Sequence, residues 1–266
     1  MADQAIRFKL GKHPPKHDAR NLQFKTYLKP TLPAPPATET KWTAKIPSKS
    51  WGMMGNDTYG DCTCAAAGHM ILEWTTDTQP KPVVIPNPDI IQFYDHFSGG
   101  NPDAGANMLD VLKYWRSHGL DGHKILGFAQ LTLKNDAQLK SSVSIFANCY
   151  IGVALPNFAV NPPAGKNMLD IPWVVPAGGA KGDAAPNPNN GHCIPAVGYD
   201  EENLYIVTWG QLKSMSWQFY AAYADESFAV LSNDWLAKNK TPSGFDLAAL
   251  QQDLNQIDGV DARRRA

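Results

Sequence analysis

The chain has 266 residues, of which 43% are hydrophobic and 18% are charged, and its formal net charge is −1. This length and apolar content exclude a mainly disordered protein and allow one large domain or two subdomains that share a cleft. The balanced charge gives no general attraction for nucleic acid or anionic lipid, so neither is expected as a partner. No stretch approaches the roughly 18 apolar residues of a membrane span.

The N-terminus is polar from the start and lacks the apolar core of a secretory signal. Four cysteines are too few to act as a disulfide framework in a chain of this length. These features predict a reducing, cytoplasmic location by default, and export by a signal-free route would leave no trace in the sequence. The sequence leaves the oligomeric state open.

Three segments differ in composition. Residues 1–45 are rich in Pro, Lys and Thr, and the run KPTLPAPPATETKW is typical of a stiff, extended strap on a protein surface. We predict that this strap precedes one folded domain over residues 46–240. The remaining residues, 241–266, predict a short amphipathic helix and a tail, with the helix docked on the body or on a partner. The apolar residues that recur there at helical spacing are Leu247, Leu250, Leu254 and Ile257.

In the predicted domain, helical patterns come before strand patterns. The sequence predicts helices over residues 62–76, 87–97, 107–119 and 136–147. The first is rich in Ala, carries Met70, Ile71 and Trp74 at helical spacing, and follows Asp61, a good capping residue. Gly119 is typical of a helix end.

Strand patterns follow the helices. The sequence predicts strands over residues 149–155, 192–200, 204–210, 214–223 and 227–232. A long irregular stretch rich in Pro, Gly and Asn lies between the first two of these strands, and loops of this length are usually functional or disordered. Helices first and strands later predict an α+β fold with two packed halves.

Four motifs stand in a fixed order along the chain. GDCTCAAA begins the first helix, DAGANMLDVLKYWRSHGL follows it, GHCIPAVGYD opens a strand with His192, and LYIVTWG forms the next strand. Together they resemble the motifs of the papain-like cysteine peptidases, of a bacterial or phage type, from about residue 45 to 232. The resemblance rests on the Gly-x-Cys helix start, the Gly-rich bend, the His-containing strand and the strand that ends in Trp-Gly. His192 lies 130 residues after Cys62, a spacing typical of that family.

The resemblance implies a papain-like α+β fold, with a helical half that begins at Cys62, a β-rich half that carries His192, and a cleft between them. It also implies hydrolysis of a peptide or isopeptide bond in a peptide or protein substrate, without a metal or organic cofactor. Cys62 is preferred over Cys64 as the nucleophile because it follows Gly-Asp, as the family's reactive Cys follows Gly-x.

The chemistry explains why a Cys and a His would be used together. A free thiol has a pKa near 8.5, but a helix N-terminus and an imidazole base both favour the thiolate that attacks a carbonyl carbon. By the resemblance, His192 acts as base and then acid, and Asn56 donates to the oxyanion where the family usually has Gln. Thr208, or Val207 after a shift of one residue, stands where the family has the Asn that orients the imidazole.

Other interpretations of the same residues stay open. At two positions the chain differs from the family, with Thr208 in place of Asn and Asn56 in place of Gln. These differences also fit a binding or structural module of a virion or a secreted assembly, with reduced catalysis. A third possibility keeps the thiol chemistry but takes the stem peptides of bacterial cell walls as substrate. A zinc site formed by Cys62, Cys64, His69 and His192 is a fourth interpretation.

The sequence predicts structural roles for the remaining reactive residues. We expect His69 to be packed or capped, and Cys149 and Cys193 to be small buried apolar residues. The adjacent acids Asp225 and Glu226 are interpreted as surface charge or a local ion pair.

Overall fold

The structure, a computed structural model, describes residues 8–236 and 245–265. Its α-helices are α1 Cys62–Thr78, α2 Asn87–Ser98, α3 Met108–His118, α4 Asp136–Phe146, α5 Asn157–Val160, α6 Trp217–Tyr223, α7 Asn233–Leu236 and α8 Leu247–Arg265. Its strands are β1 Ile125–Gln130, β2 Cys149–Ala154, β3 Gly191–Tyr199, β4 Asn203–Thr208, β5 Gln211–Ser216 and β6 Ala224–Ser232. The four predicted N-terminal helices are therefore confirmed, as are the strands β2, β3, β4 and β6.

The helices begin and end where the local residues favour it. Asn107 caps α3, since its side chain accepts a hydrogen bond from the Leu109 N–H, and Gly119 follows the helix with a positive φ of 91°. Asp61 occupies the N-cap of α1, but its side chain makes no capping hydrogen bond. The predicted position of the cap is thus confirmed, although the Asp61 side chain does not cap the helix.

Within the described residues the strands form a single antiparallel sheet in the order β1-β6-β2-β3-β4-β5. Strand β3 lies between β2 and β4, and all nine of its residues are buried. Helix α1, buried from Cys62 to Thr75, packs against β3. This contact joins the helical half to the sheet and confirms the predicted α+β architecture.

Two elements differ from the predictions. Residues 214–223 were predicted as one strand, which is wrong, because the strand ends at Ser216 and helix α6 follows. The Ser216 hydroxyl accepts a hydrogen bond from the Phe219 N–H and so starts a helix, whose buried Trp217 and Tyr220 stand three residues apart. Strand β1 was not predicted at all.

The C-terminal helix α8 docks on the body. Leu250 and Leu254 are buried, and Leu254 lies so close to Gly127 of β1 that a Cβ there would stand 2.5 Å from its Cδ1. Docking on the body is thereby confirmed, while Ile257 lies outside the residues whose side chains are described. No helix in the described ranges combines the length and the apolar character needed to cross a membrane.

Candidate active site

Cys62 is the first residue of α1, and its side chain is buried. The backbone N–H groups of Cys193 and Lys12 lie near the thiol and favour its ionised form. Burial outweighs them and, with a contribution from Asp61, raises the pKa of the thiol to about 12. Cys62 is therefore a neutral thiol in this state, although it stands at the N-terminus of a 17-residue helix.

His192 is the second residue of β3, and Cys193, whose N–H approaches the Cys62 thiol, follows it directly. The fold therefore brings Cys62 and the His192 strand to one site. Nε2 of His192 lies 2.8 Å from Oγ1 of Thr208, and the donor of this pair depends on the ring tautomer. Nδ1 is buried without a hydrogen-bond partner among the described residues.

Aromatic rings enclose this imidazole. Trp209 stacks on it with a centroid distance of 4.7 Å and an interplanar angle of 20°, and Trp173 meets it edge-on. Burial lowers the pKa of His192 to about 3, helped by the positive charge of Lys12, so the ring is neutral. Val207, the alternative to Thr208, packs instead in a small apolar cluster with Trp51.

Asn56 is buried in the loop that precedes α1. Its amide donates to the Tyr59 carbonyl at 3.1 Å, and it also favours the ionised form of Asp61. The amide is thus engaged within its own loop, and the oxyanion role expected of Asn56 stays a prediction.

The N-terminal strap is hydrogen-bonded to residues around His192. The N–H groups of Gly11 and Lys12 both donate to the Gly191 carbonyl, at 3.2 and 3.1 Å, directly before His192. The indole of Trp209 donates to the Lys9 carbonyl at 2.9 Å. The strap is therefore hydrogen-bonded to Gly191, which precedes His192 in the chain, and to Trp209, which stacks on its ring.

The same segment is bonded to the helical half. Ala106 donates to the Gly11 carbonyl at 2.8 Å and accepts from the His13 N–H at 3.0 Å, as in a parallel bridge. The Lys9 N–H donates to the Asn56 carbonyl at 3.0 Å. The strap thus lies between the two halves and is hydrogen-bonded to both.

Glycines make this close approach possible. Gly11 has a φ of +138°, and a Cβ there would stand 1.9 Å from the Gly60 carbonyl oxygen. A Cβ on Gly191 would stand 2.0 Å from the Lys12 carbonyl oxygen. The strap backbone can therefore approach the backbones of Gly60 and Gly191 closely only because the residues at positions 11 and 191 have no side chain.

Lys12 carries the strap's only described buried charge in this cleft. Its side chain is 0% exposed, with Nζ 2.9 Å from Oδ2 of Asp225 and 3.4 Å from Oε1 of Glu226. Burial raises the pKa of Glu226 to about 7, against the opposing effect of Lys12. The acids do form an ion pair, but surface charge is wrong for the buried Glu226, and the partner Lys12 is 213 residues from Asp225 in the chain.

His69 and the remaining cysteines are buried and packed within the fold. A ring nitrogen of His69 lies 2.8 Å from the Gly52 carbonyl, and Cys64, Cys149 and Cys193 are buried free thiols. No group of three or more His, Cys, Asp or Glu side chains within the described ranges could hold a metal ion, so the zinc interpretation is not supported. The predicted packing of His69 and burial of Cys149 and Cys193 are confirmed.

The sequence has no significant match to a protein-family model or to a curated protein. Solved structures do resemble it. Xylellain, a cysteine protease from Xylella fastidiosa, is 17% identical with a TM-score of 0.60, over 85% of this chain and 97% of that one. Digestive procathepsin L 3 of Tenebrio molitor is 9% identical with a TM-score of 0.55, over 82% of this chain and 76% of that one.

The cysteine protease and lectin-like domains of Cwp84, a surface layer associated protein of Clostridium difficile, give a TM-score of 0.54 at 9% identity. That match covers 87% of this chain and 57% of the other. At such identities the likeness concerns the fold alone. The chain therefore has the papain-like α+β fold that the motifs predicted.

Proposed function

We propose that the protein is a cysteine peptidase, with Cys62 as nucleophile and His192 as base, and that residues 8–13 keep it latent. What supports this proposal is that the thiol of Cys62, at a helix N-terminus, lies near the backbone of Cys193, directly after a histidine whose Nε2 is 2.8 Å from Thr208 Oγ1. A peptide or isopeptide bond is the expected substrate, as the resemblance of the motifs implies.

Activation begins when the strap leaves the cleft. Because burial is the largest cause of both pKa shifts, water that enters will lower the pKa of Cys62 and raise that of His192. The thiol proton then passes to the ring. Nδ1 is the nitrogen for this transfer, since Nε2 is held by Thr208. The imidazolium and the helix N-terminus both stabilise the resulting thiolate.

The thiolate then attacks the carbonyl carbon of the substrate. The oxyanion accepts hydrogen bonds from the N–H of Cys62, which lacks an intrahelical partner, and from Asn56 once its amide leaves the Tyr59 carbonyl. His192 next returns its proton to the leaving amine, and the acyl-enzyme is hydrolysed by water that His192 deprotonates. The chain thus supplies every proton-transfer group of the cycle.

A second candidate is a binding module with reduced catalysis. It is favoured by the neutral state of Cys62 and His192 and by the Thr in place of the family's Asn. In this case the strap stays in the cleft permanently. The cell-wall alternative differs only in substrate, and an assay with two substrates separates it from the first proposal.

The test uses the full chain with Lys12→Ala, which removes the buried charge that fastens the strap. We expect this variant to cleave denatured casein, and we expect Cys62→Ala in the same background to abolish cleavage. Cys149→Ala is the matched control, because it removes a buried thiol away from the cleft and should keep cleavage. Release of stem peptides from purified peptidoglycan without casein cleavage would favour the cell-wall substrate. No cleavage of either, with Cys62 unreactive to iodoacetamide, would favour the binding module.

A further inference from the structure

Trp173 borders the His192 imidazole and comes from outside the strands that carry the site. It is buried and lies in the irregular stretch between α5 and β3. Its ring centroid is 6.4 Å from that of His192 at an interplanar angle of 79°, and 6.2 Å from that of Trp209 at 88°. Trp173 therefore stands nearly at right angles beside the stacked pair of imidazole and indole.

Strand β5 and helix α6 hold Trp173 in this place. Its carbonyl accepts a hydrogen bond from the Ser216 N–H at 3.0 Å, where β5 meets α6. Its ring stacks on Phe219 of α6, with a centroid distance of 5.3 Å and an interplanar angle of 17°. A shift of the Trp173 ring would therefore disturb the junction between these two elements.

The other indole at the imidazole, that of Trp209, is held in part by the strap. It donates to the Lys9 carbonyl at 2.9 Å, and its ring centroid lies 5.2 Å from that of Phe8. Under the proposed function both of these contacts are lost when the strap leaves. Trp173 then keeps its contacts with Ser216 and Phe219, because neither residue belongs to the strap.

The imidazole depends on such packing because its hydrogen bonds hold it weakly. Nε2 has the Thr208 hydroxyl at 2.8 Å, which rotates and either donates or accepts, and Nδ1 has no partner among the described residues. The stacked Trp209 ring limits tilting of the imidazole but permits sliding in the plane of the ring. A ring at right angles limits that sliding, so the two indoles together fix the position of the imidazole.

We propose, on the basis of the cysteine peptidase function above, that Trp173 is a positioning residue that keeps Nδ1 of His192 directed at the Cys62 thiol once the strap has left. A base must lie within hydrogen-bond reach of the proton that it accepts, so an imidazole displaced by about 1 Å is a much poorer base. Loss of the Trp173 ring should therefore lower kcat and leave KM nearly unchanged.

The test uses Trp173→Leu in the full chain with Lys12→Ala. We expect kcat for a fluorogenic peptide to fall about 10- to 100-fold, with KM within about threefold of the parent. We also expect Cys62 to lose its fast alkylation by iodoacetamide at pH 6, because a displaced imidazole no longer stabilises the thiolate. A purely structural loss would lower the free energy of unfolding and leave the pH dependence of alkylation unchanged.

Trp51→Leu is the matched control. Trp51 contacts the other buried histidine, His69, with a centroid distance of 6.3 Å and an interplanar angle of 80°. Its indole nitrogen, like that of Trp173, is buried without a hydrogen-bond partner in the described part of the chain. The control should therefore lower the free energy of unfolding while kcat and the alkylation of Cys62 stay as in the parent.

The outcomes separate this proposal from the peptidase proposal. Should Trp173→Leu fail to fold, Trp173→Phe, which keeps a smaller ring beside Phe219, replaces it and should lower kcat by about threefold or more. An unchanged kcat in the folded variant, with or without a rise in KM, overturns the positioning role but leaves the peptidase proposal standing. No cleavage by the Lys12→Ala parent, with Cys62 unreactive to iodoacetamide, overturns the peptidase proposal itself.

Discussion

His69 and His192 are both buried histidines whose pKa burial lowers, to about 4 and about 3 respectively. They differ in what surrounds them. His69 lies on α1, with a ring nitrogen 2.8 Å from the Gly52 carbonyl and an edge-on contact with Trp51. Nε2 of His192 lies 2.8 Å from the Thr208 hydroxyl, Nδ1 has no hydrogen-bond partner among the described residues, and the preceding Gly191 is bonded to a segment from the start of the chain.

The comparison teaches that the same low pKa has two meanings. His69 is packed by its own helix and the loop before it. The residue before His192 is hydrogen-bonded to Gly11 and Lys12, which belong to an extended strap and not to the sheet that carries the ring. Under the proposed function, removal of the strap would leave the ring in its strand, bonded to Thr208. The proposal therefore assigns a structural role to the first histidine and a role in the active site to the second.

The largest expected effect is on peptidase activity, which His192→Ala should almost abolish and His69→Ala should leave nearly unchanged. In the full chain with Lys12→Ala, His192→Ala should lower kcat/KM for a peptide on the order of a thousandfold, since the base and acid are lost. His69→Ala should lower the free energy of unfolding by about 1–3 kcal/mol and change kcat/KM only slightly. Steady-state kinetics and urea unfolding measure the two quantities. A large loss of kcat/KM in folded His69→Ala would remove the distinction.

The second effect concerns the Thr208 hydroxyl. Thr208→Val keeps the shape but removes the partner of Nε2, so kcat should fall about 10- to 100-fold as the ring loses its orientation. Thr208→Ser, which keeps the hydroxyl, is the control and should stay within a few-fold of the parent. An unchanged kcat in the Val variant would assign the orientation of the ring to Trp173 and Trp209 alone.

The third effect is the pH dependence of stability. The folded-state pKa of His69 is about 4 and its ordinary value is 6.5, so between these values only the unfolded chain binds the proton. The free energy of unfolding should therefore fall as the pH falls from about 6.5 to 4. His69→Gln should remove roughly 2–3 kcal/mol of that loss, measured as the difference between urea unfolding at pH 7 and pH 4.5. Parallel pH profiles of the parent and the variant would contradict this.

The smallest effect concerns an acid held neutral beside Cys62. Burial raises the pKa of Asp61 to about 8, and neither carboxylate oxygen has a hydrogen-bond partner in the described part of the chain. Between about pH 4 and 8 the unfolded chain has lost this proton while the folded chain keeps it, so stability falls as the pH rises through this range. Asp61→Asn should therefore stabilise the protein by about 1 kcal/mol at pH 7, because the unpaired amide donors offset part of the gain. Lower stability of the variant at pH 7 would show that the neutral carboxyl is well accommodated.

Local patterns explain which parts of the site the sequence could predict. Cys62 follows a turn and precedes an Ala-rich run, so its position at a helix start is visible in the sequence. His192 and Thr208 lie on adjacent strands joined by a short turn. Their separation along the chain therefore predicts that their side chains come close together. The four N-terminal helices were predicted for the same reason, because their apolar spacing is a local property.

Contacts between distant segments could not be predicted in this way. Lys12 meets Asp225 across 213 residues, and no local pattern pairs one lysine among many with two acids in a strand. One signal was present, since adjacent acids before the apolar run SFAVLS imply a buried cation partner. Strand β1 was missed. Helix α6 was taken for a strand, because its aromatic-rich stretch fits either structure and the Ser216 cap decides only in three dimensions.

The rate of alkylation of Cys62 tests the central claim most directly. The full-length parent and the Lys12→Ala variant would be treated with limiting iodoacetamide at pH 6, and the labelled cysteines mapped by mass spectrometry. The account predicts slow labelling of Cys62 in the parent, labelling of Cys62 well ahead of Cys149 in Lys12→Ala, and loss of that advantage when His192→Ala is added. Labelling of Cys62 no faster than Cys149 after the strap is loosened would contradict the claim that the strap covers a reactive Cys–His pair.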